Sequence, residues 1–403
     1  MRCAPYSLSV AAMVAALAIV AATAHASEQP LCASSALRVT VDFERARAAA
    51  CTFIDERRVD VRIEPETRPI NDSAWYAFKI HAATPGSVEI SVRYVDGTHR
   101  YRPKVSVDGQ TWRALDESAV TAAADKASVA FSLVVPSGET VVAAQPIETN
   151  AQALDRWNDA VAQRRLLRTE IGRSIDGAPI VAFATQATST RRTLVLLGRQ
   201  HPPETTGAVA FDAFLARLLE DDAQAQRFRE STAILALPML NPDGLARGHW
   251  RTNTAGIDLN RDWGPFTQPE TRAAARAIDH VARSRPLIGL IDFHATRRDV
   301  IYAQPAEDPL YPSGLTEDWF ARWKDRAGDA APPISRAHDA KQPNAKTWSR
   351  LRFGVSGVTY EAADDTDPVE VRRIARLSAE AYMDAVLALS PEHHIAPAPA
   401  MPR

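Results

Sequence analysis

At 403 residues, 46% hydrophobic and 24% charged, the chain is longer than one hydrophobic core usually supports, and two folded domains are expected. Lys+Arg 47 against Asp+Glu 49 leaves a net charge of -2, which argues against a nucleic-acid or membrane-surface partner. No charge bias singles out a substrate.

The chain opens with a secretory signal pattern. Arg2 supplies a positive start, Val10 to Val20 is an alanine-rich apolar run, and Ala24-His25-Ala26 is an A-x-A cleavage signature. Residues 1–26 are therefore expected to be removed, which predicts a periplasmic or secreted protein. A buried or anchoring N-terminal helix is the competing reading, but the run is short and poorly flanked for a span. No later stretch is long and apolar enough to cross a bilayer, so no membrane insertion is expected after signal removal. Of the 3 cysteines, Cys3 goes with the leader, leaving Cys32 and Cys51. An even count in an exported protein favours a disulfide; two free or buried thiols are the alternative.

Residues 36–145 read as short alternating segments: Val59 to Ile63, Ser87 to Val92, Ala130 to Val135. With turn signals at Asp96-Gly97, Asp108-Gly109 and Pro136-Ser137-Gly138, they predict an antiparallel β-sandwich. Nothing in this region forms a chemically equipped cluster, so a structural or substrate-framing role is expected. A boundary falls near 145–151. Over residues 151–390 the pattern changes to strands at Thr193–Leu197, Ala233–Leu240, Leu287–Phe293 and Val355–Tyr360. Amphipathic helices alternate with them at Ala208–Leu219, Thr271–Ala282 and Val369–Leu389. Such alternation predicts an α/β sheet covered on both faces. Residues 391–403, Pro/Ala-rich and containing His393-His394, are expected to form a flexible tail.

In open α/β sheets, sites form beyond the carboxyl ends of strands, and the chain's most unusual residues stand there. His201-Pro202-Pro203-Glu204 follows the strand ending near Gly198, His294 closes Leu290-Ile291-Asp292-Phe293, and Glu361 ends Gly357-Val358-Thr359-Tyr360. Two imidazoles and one carboxylate with an open fourth position are the ligand set of a catalytic zinc site. A further carboxylate can then serve as general base and acid. A His-x-x-Glu pair alone is a weak signal. Here it is joined by Asn241-Pro242-Asp243-Gly244, Arg251 and Asp258-Leu259-Asn260-Arg261.

In this order the pieces resemble the zinc carboxypeptidases of the M14 family over roughly residues 168–389. The resemblance implies a mixed-sheet α/β/α catalytic domain and one zinc on His201, Glu204 and His294. It implies that Arg251 polarises the scissile carbonyl, that Asn260 and Arg261 hold a terminal carboxylate, and that Glu361 is the proton carrier. Asp258 resembles the family's carboxylate behind the first histidine; a capping or surface aspartate is the alternative. The expected substrate is a peptide or peptide-like molecule with a free C-terminal carboxylate. Trp75-Tyr76-Ala77-Phe78, Tyr101-Arg102-Pro103 and Ser106 to Trp112 resemble the N-terminal domain of the cytosolic carboxypeptidase subfamily and its bacterial relatives. With the signal pattern, this suggests an exported bacterial member.

One departure stands out. Digestive relatives carry a tyrosine about twenty residues before the catalytic glutamate, and none occurs here between His338 and Thr359. Trp348 lies in that segment and is read as packing. The same stretch holds Lys346, Arg350 and Arg352, and in the family it lines the pocket for the terminal side chain. Lys346 is the first candidate for selecting acidic termini; three solvated surface charges are the alternative. An amidohydrolase or cell-wall peptide amidase on the same scaffold, and a non-catalytic binding protein, remain as competing functions.

Overall fold

The structure, a computed structural model, describes residues 29–186, 191–336 and 338–389. The signal pattern and the tail from 391 lie outside the described residues. Between Cys32 and Ala143 the chain builds two sheets. The first runs Cys32–Ala33, Leu37–Thr40, Ala77–Ala82, Gly138–Ala143, Lys104–Ser106, Arg113–Ala114. The second runs Ala50–Asp55, Arg58–Ile63, Gly86–Tyr94, Ser128–Val135, Val120–Ala122. Alternation explains the packing: Val129, Phe131, Leu133 and Val135 point into the core, while Ala130, Ser132 and Val134 face solvent. The pairing in these sheets is antiparallel, as expected, with one exception. Arg58–Ile63 lies parallel to Gly86–Tyr94, because the connection between them crosses through Ala77–Ala82 in the other sheet. Period-two alternation marks a strand's faces and says nothing of its direction. Cys32 and Cys51 are disulfide-bonded, joining the two sheets at a Cα separation of 5.6 Å.

The second half is an eight-stranded mixed sheet. Its order is Leu166–Arg173, Pro179–Thr185, Thr232–Leu237, Arg192–Gly198, Leu287–Thr296, Gly357–Ala363, Val300–Ala303, Ile334–Arg336. The four middle strands are parallel. They are buried on both faces, which is why they read as unbroken apolar runs. One face packs on Thr205–Leu218, Leu315–Ala327 and Pro368–Leu387 through Phe211, Phe214, Trp319 and Tyr382. The other packs on Pro269–Ser284 and Ala345–Phe353 through Ile278, Trp263 and Trp348. The catalytic half also contributes a residue to the N-terminal core. Trp250 is fully buried among the N-terminal hydrophobics and donates its indole N–H to Trp75 O at 3.0 Å. Burying a tryptophan removes some 150–250 Å² from water, roughly 4–6 kcal/mol as an upper bound.

Candidate metal centre and active site

The parallel register assembles the site. Gly198 is level with Phe293, so the loop that leaves the strand Arg192–Gly198 emerges beside His294. His294 is in turn paired with Glu361 on the next strand. Two residues far apart in sequence thus stand side by side because both end parallel strands. The turn at 199–204 delivers His201 and Glu204 and runs directly into the helix Thr205–Leu218. That helix approaches closely: a Cβ on Gly207 would lie 2.4 Å from His294 O, so glycine is required there.

Three donor groups converge. His201 Nδ1 is 2.8 Å from Glu204 Oε1, His294 Nδ1 is 2.8 Å from Glu204 Oε2, and the two Nδ1 atoms are 3.2 Å apart. A tetrahedral zinc with bonds of about 2.0–2.1 Å holds its ligands about 3.3 Å apart, so the spacing fits the ion. The chemistry fits as well. The outer nitrogens of both rings have carboxylate partners: His201 Nε2 with Asp258 Oδ1 at 2.9 Å, His294 Nε2 with Asp292 Oδ2 at 2.8 Å. Each ring then donates outward and turns an Nδ1 lone pair inward, the tautomer a metal needs. His201, Glu204 and His294 form one zinc site, and all three are buried.

Asp258 both caps and positions. It caps the short turn Leu259–Arg261 by accepting from Asn260 N at 2.8 Å, and it partners His201 with the same oxygen. Its other oxygen accepts from Arg251 Nε at 2.7 Å. Burial works against its charge, but His201 and Arg251 hold the carboxyl below the ordinary range. Asn260 Nδ2 is 3.3 Å from His294 Nε2, while its oxygen accepts from Ala345 N. Arg261 Nη2 reaches Asp339 Oδ2 at 2.7 Å. Asn241-Pro242-Asp243-Gly244 stays behind the site. Asn241 caps the helix Pro242–Ala246 and donates to Gln200 O, and Asp243 accepts from Ser174 Oγ and Asp176 N.

Glu361, Arg251, Asn260, Arg261 and Lys346 line one cavity of about 400 Å³ with the three zinc ligands. Burial pushes the Glu361 carboxyl up to about 7 against the pull of His294. Lys346 is buried at the start of the helix Ala345–Phe353, its ammonium donating to His338 O at 2.8 Å, and burial pushes it down to about 8. Arg350 and Arg352 face Asp308 and Asp279 instead. Trp348 packs between Trp263, Phe266 and Phe353.

Other cavity residues escaped the sequence reading. Tyr302, on the strand Val300–Ala303, brings a phenol to the cavity and stacks on His338 with centroids 4.0 Å apart. Burial and the Glu361 charge raise its pKa. No motif marks it. Asn71, Asp72, Ser73 and Arg100 of the N-terminal layers also form the wall. Asp292 had a visible signal: a carboxylate inside an apolar strand, two residues before His294 and so on the same face.

These features define a single-metal site at the carboxyl ends of a mixed, helix-covered sheet. The family profile described as zinc carboxypeptidase, M14, matches residues 154–366, and the chain belongs to that family. A Zymomonas mobilis protein is 27% identical over 227 residues, 52% of this chain and 55% of that protein. Human cytosolic carboxypeptidase-like protein 5 is 30% identical over 161 residues, 40% of this chain and 17% of that protein. The chain therefore spans about half, or much less, of the length of these relatives. Among solved structures, a metallo-carboxypeptidase from Burkholderia cenocepacia aligns with TM-score 0.71 at 18% identity, covering 87% of this chain and 99% of the other. One from Pseudomonas aeruginosa, in complex with (2-guanidinoethylmercapto)succinic acid, aligns with TM-score 0.68 at 19% identity, covering 86% and 98%. At that identity the likeness concerns the fold. No helix among the described residues is long and apolar enough to cross a membrane.

Proposed function

We propose that the protein is an extracytoplasmic zinc carboxypeptidase that releases the last residue of peptides with a free terminal carboxylate, preferring acidic residues. The observation that supports this most is the pairing of Glu361 with His294 in register, beside the zinc ligands and in one cavity with Arg251, Asn260 and Arg261. When bound, zinc supplies Lewis acidity, polarising a carbonyl oxygen and lowering the pKa of a water to about 7. Glu361 would hold a proton beside the zinc site and pass it to the leaving amine, and its raised pKa suits both taking and giving it near neutrality. Arg251, fixed by Asp258, faces the developing negative charge on the scissile carbonyl. Arg261 and Asn260 receive the terminal carboxylate, which takes the place that Asp339 occupies on the guanidinium. Lys346, with Arg350 and Arg352 engaged elsewhere, is the cation that meets an acidic side chain. The disulfide supports an oxidising compartment.

The test compares one peptide with a free and with an amidated C-terminus, on wild type and Arg261→Ala. Wild type should cleave only the free acid, and the variant should raise KM for it. Rapid cleavage of the amidated peptide, unaffected by the variant, would point to an endopeptidase or deacylase instead.

A further inference from the structure

Three charged residues of the N-terminal layers cross to the catalytic sheet, and each ends on a different segment of the site. Arg45, fully buried with its guanidinium 4.2 Å over the Trp75 ring, donates to Pro202 O at 3.0 Å, inside the turn between His201 and Glu204. Glu66 accepts the backbone N–H groups of Trp250, Arg251 and Thr252 at 2.8, 2.9 and 2.8 Å, which fixes the segment presenting Arg251. Arg100 clasps Asp364 with two bonds, Nε at 2.8 Å and Nη2 at 3.1 Å, and donates from Nη2 to Ala295 O at 3.1 Å.

Arg100 sits where the sheet alone offers least. The ladder between the strands carrying His294 and Glu361 ends at Thr296 and Ala363, followed by one Asp364 N–H to Thr296 O bond. Strand ends open most readily, and the two key side chains lie within three residues of that end. Arg100 bridges it: Ala295 adjoins His294, and Asp364 is three residues beyond Glu361. Arg100 and Asp364 side chains are only 7% and 5% exposed. All three guanidinium nitrogens are committed within the protein, Nη1 to Ser73 Oγ at 2.5 Å, so the residue fixes geometry and leaves substrate binding to others. A planar fork sets distance and orientation together, which an apolar interface does not.

We propose that the N-terminal β layers are a positioning element of the active site, acting chiefly through Arg100, which locks the strand ends bearing His294 and Glu361. Only the kinetic part of this proposal rests on the hydrolase reading. The experiment uses the whole mature protein, with Arg100→Met, Arg100→Lys, and Lys104→Met as control. Lys104 makes the neighbouring cross-layer ion pair, a long 3.5 Å contact to the half-exposed Asp365 one residue beyond Asp364, and it bonds neither Ala295 nor Asp364. Zinc affinity is read by chelator competition, ligand geometry by visible absorption of the cobalt-substituted protein, and kcat and KM on a free-acid peptide.

Both Arg100 variants should bind zinc about tenfold or more weakly and shift the cobalt spectrum. Their kcat should fall about 10²-fold with KM within about threefold, the effect of misplaced rather than missing groups. Lys104→Met should match wild type in every readout. Lysine should not rescue, since a point charge cannot span Asp364 and Ala295 O together; full recovery would overturn the fork argument. Should Arg100→Met fail to fold, Arg100→Lys carries the same test. Unchanged zinc affinity and cobalt spectrum in a folded Arg100 variant would overturn the proposal. Absence of turnover by wild type would instead sink the hydrolase reading, and the two metal readouts would still decide the role of Arg100.

Discussion

Asp258 is the most connected carboxylate of the site, and changing it to asparagine and to alanine separates two of its duties. Oδ1 accepts from His201 Nε2 and Asn260 N, and Oδ2 accepts from Arg251 Nε. An asparagine has one accepting oxygen and one donating nitrogen. With its oxygen in the Oδ1 place, Asp258→Asn keeps two of the three bonds and sets an N–H donor against Arg251 Nε. The reverse flip keeps only the Arg251 bond and leaves two donors facing the amide N–H, so the first orientation is favoured by roughly one unpaired donor, ~1 kcal/mol. Asp258→Asn should therefore hold zinc to within about threefold of wild type. Arg251 loses its anchor, however, and kcat/KM should fall on the order of 10²-fold, as when an oxyanion donor is lost. Asp258→Ala removes the support of His201 too and should weaken zinc by ~10–100-fold, which is about 1.4–2.8 kcal/mol. Chelator competition and steady-state kinetics on the three proteins measure both quantities. Equal zinc affinity in all three, or a greater zinc loss in asparagine than in alanine, would refute the reasoning.

Glu361→Gln should keep zinc and fold but lose activity by ~10²–10⁴-fold, while Tyr360→Phe, buried against Phe293 and Trp323, should cost far less; equal losses in steady-state assays would exclude a proton-carrying role. Lys346 is charged below about 8 and neutral above, so preference for a glutamate over a leucine terminus should hold near neutrality and decline as pH rises through that value. In Lys346→Met the same kcat/KM ratio should be low and flat with pH; a preference that survives in the variant would clear Lys346 of selection. Reducing the Cys32–Cys51 bond, which spans 19 residues, should lower unfolding free energy by about 3 kcal/mol in urea titrations with and without reductant.

The legible parts of this protein are those whose signals are local. The strand Thr232–Leu237 is buried throughout and apolar after Thr232, and the helix Pro269–Ser284 keeps one face of small and aliphatic residues toward the sheet. Both could be read from a few neighbours, and the metal ligands stood out because polar residues closing apolar runs need a reason. The edge strand Leu166–Arg173 could not be read so: only Leu166 of its eight residues is buried and five are exposed, because an edge strand faces solvent along most of its length. Tyr302, Arg45, Glu66 and Arg100 were invisible for another reason. Arg100 meets its partners 195 and 264 positions away, and no spacing rule links them. The N-terminal segment was expected to hold no chemically equipped cluster, yet its Asn71, Asp72, Ser73 and Arg100 reach the wall of the active-site cavity. Its charged residues acquire meaning only where the fold sets them against another sheet.

One zinc on His201, Glu204 and His294 should be where the last peptide bond opens. Mass spectrometry of a peptide incubated with zinc-loaded wild type and His294→Ala, with metal content measured on both, tests it most directly. One zinc per wild-type chain is expected, with single residues leaving only from the carboxyl end, and both should be lost in the variant. Stoichiometric zinc in His294→Ala, or internal fragments from wild type, would contradict it.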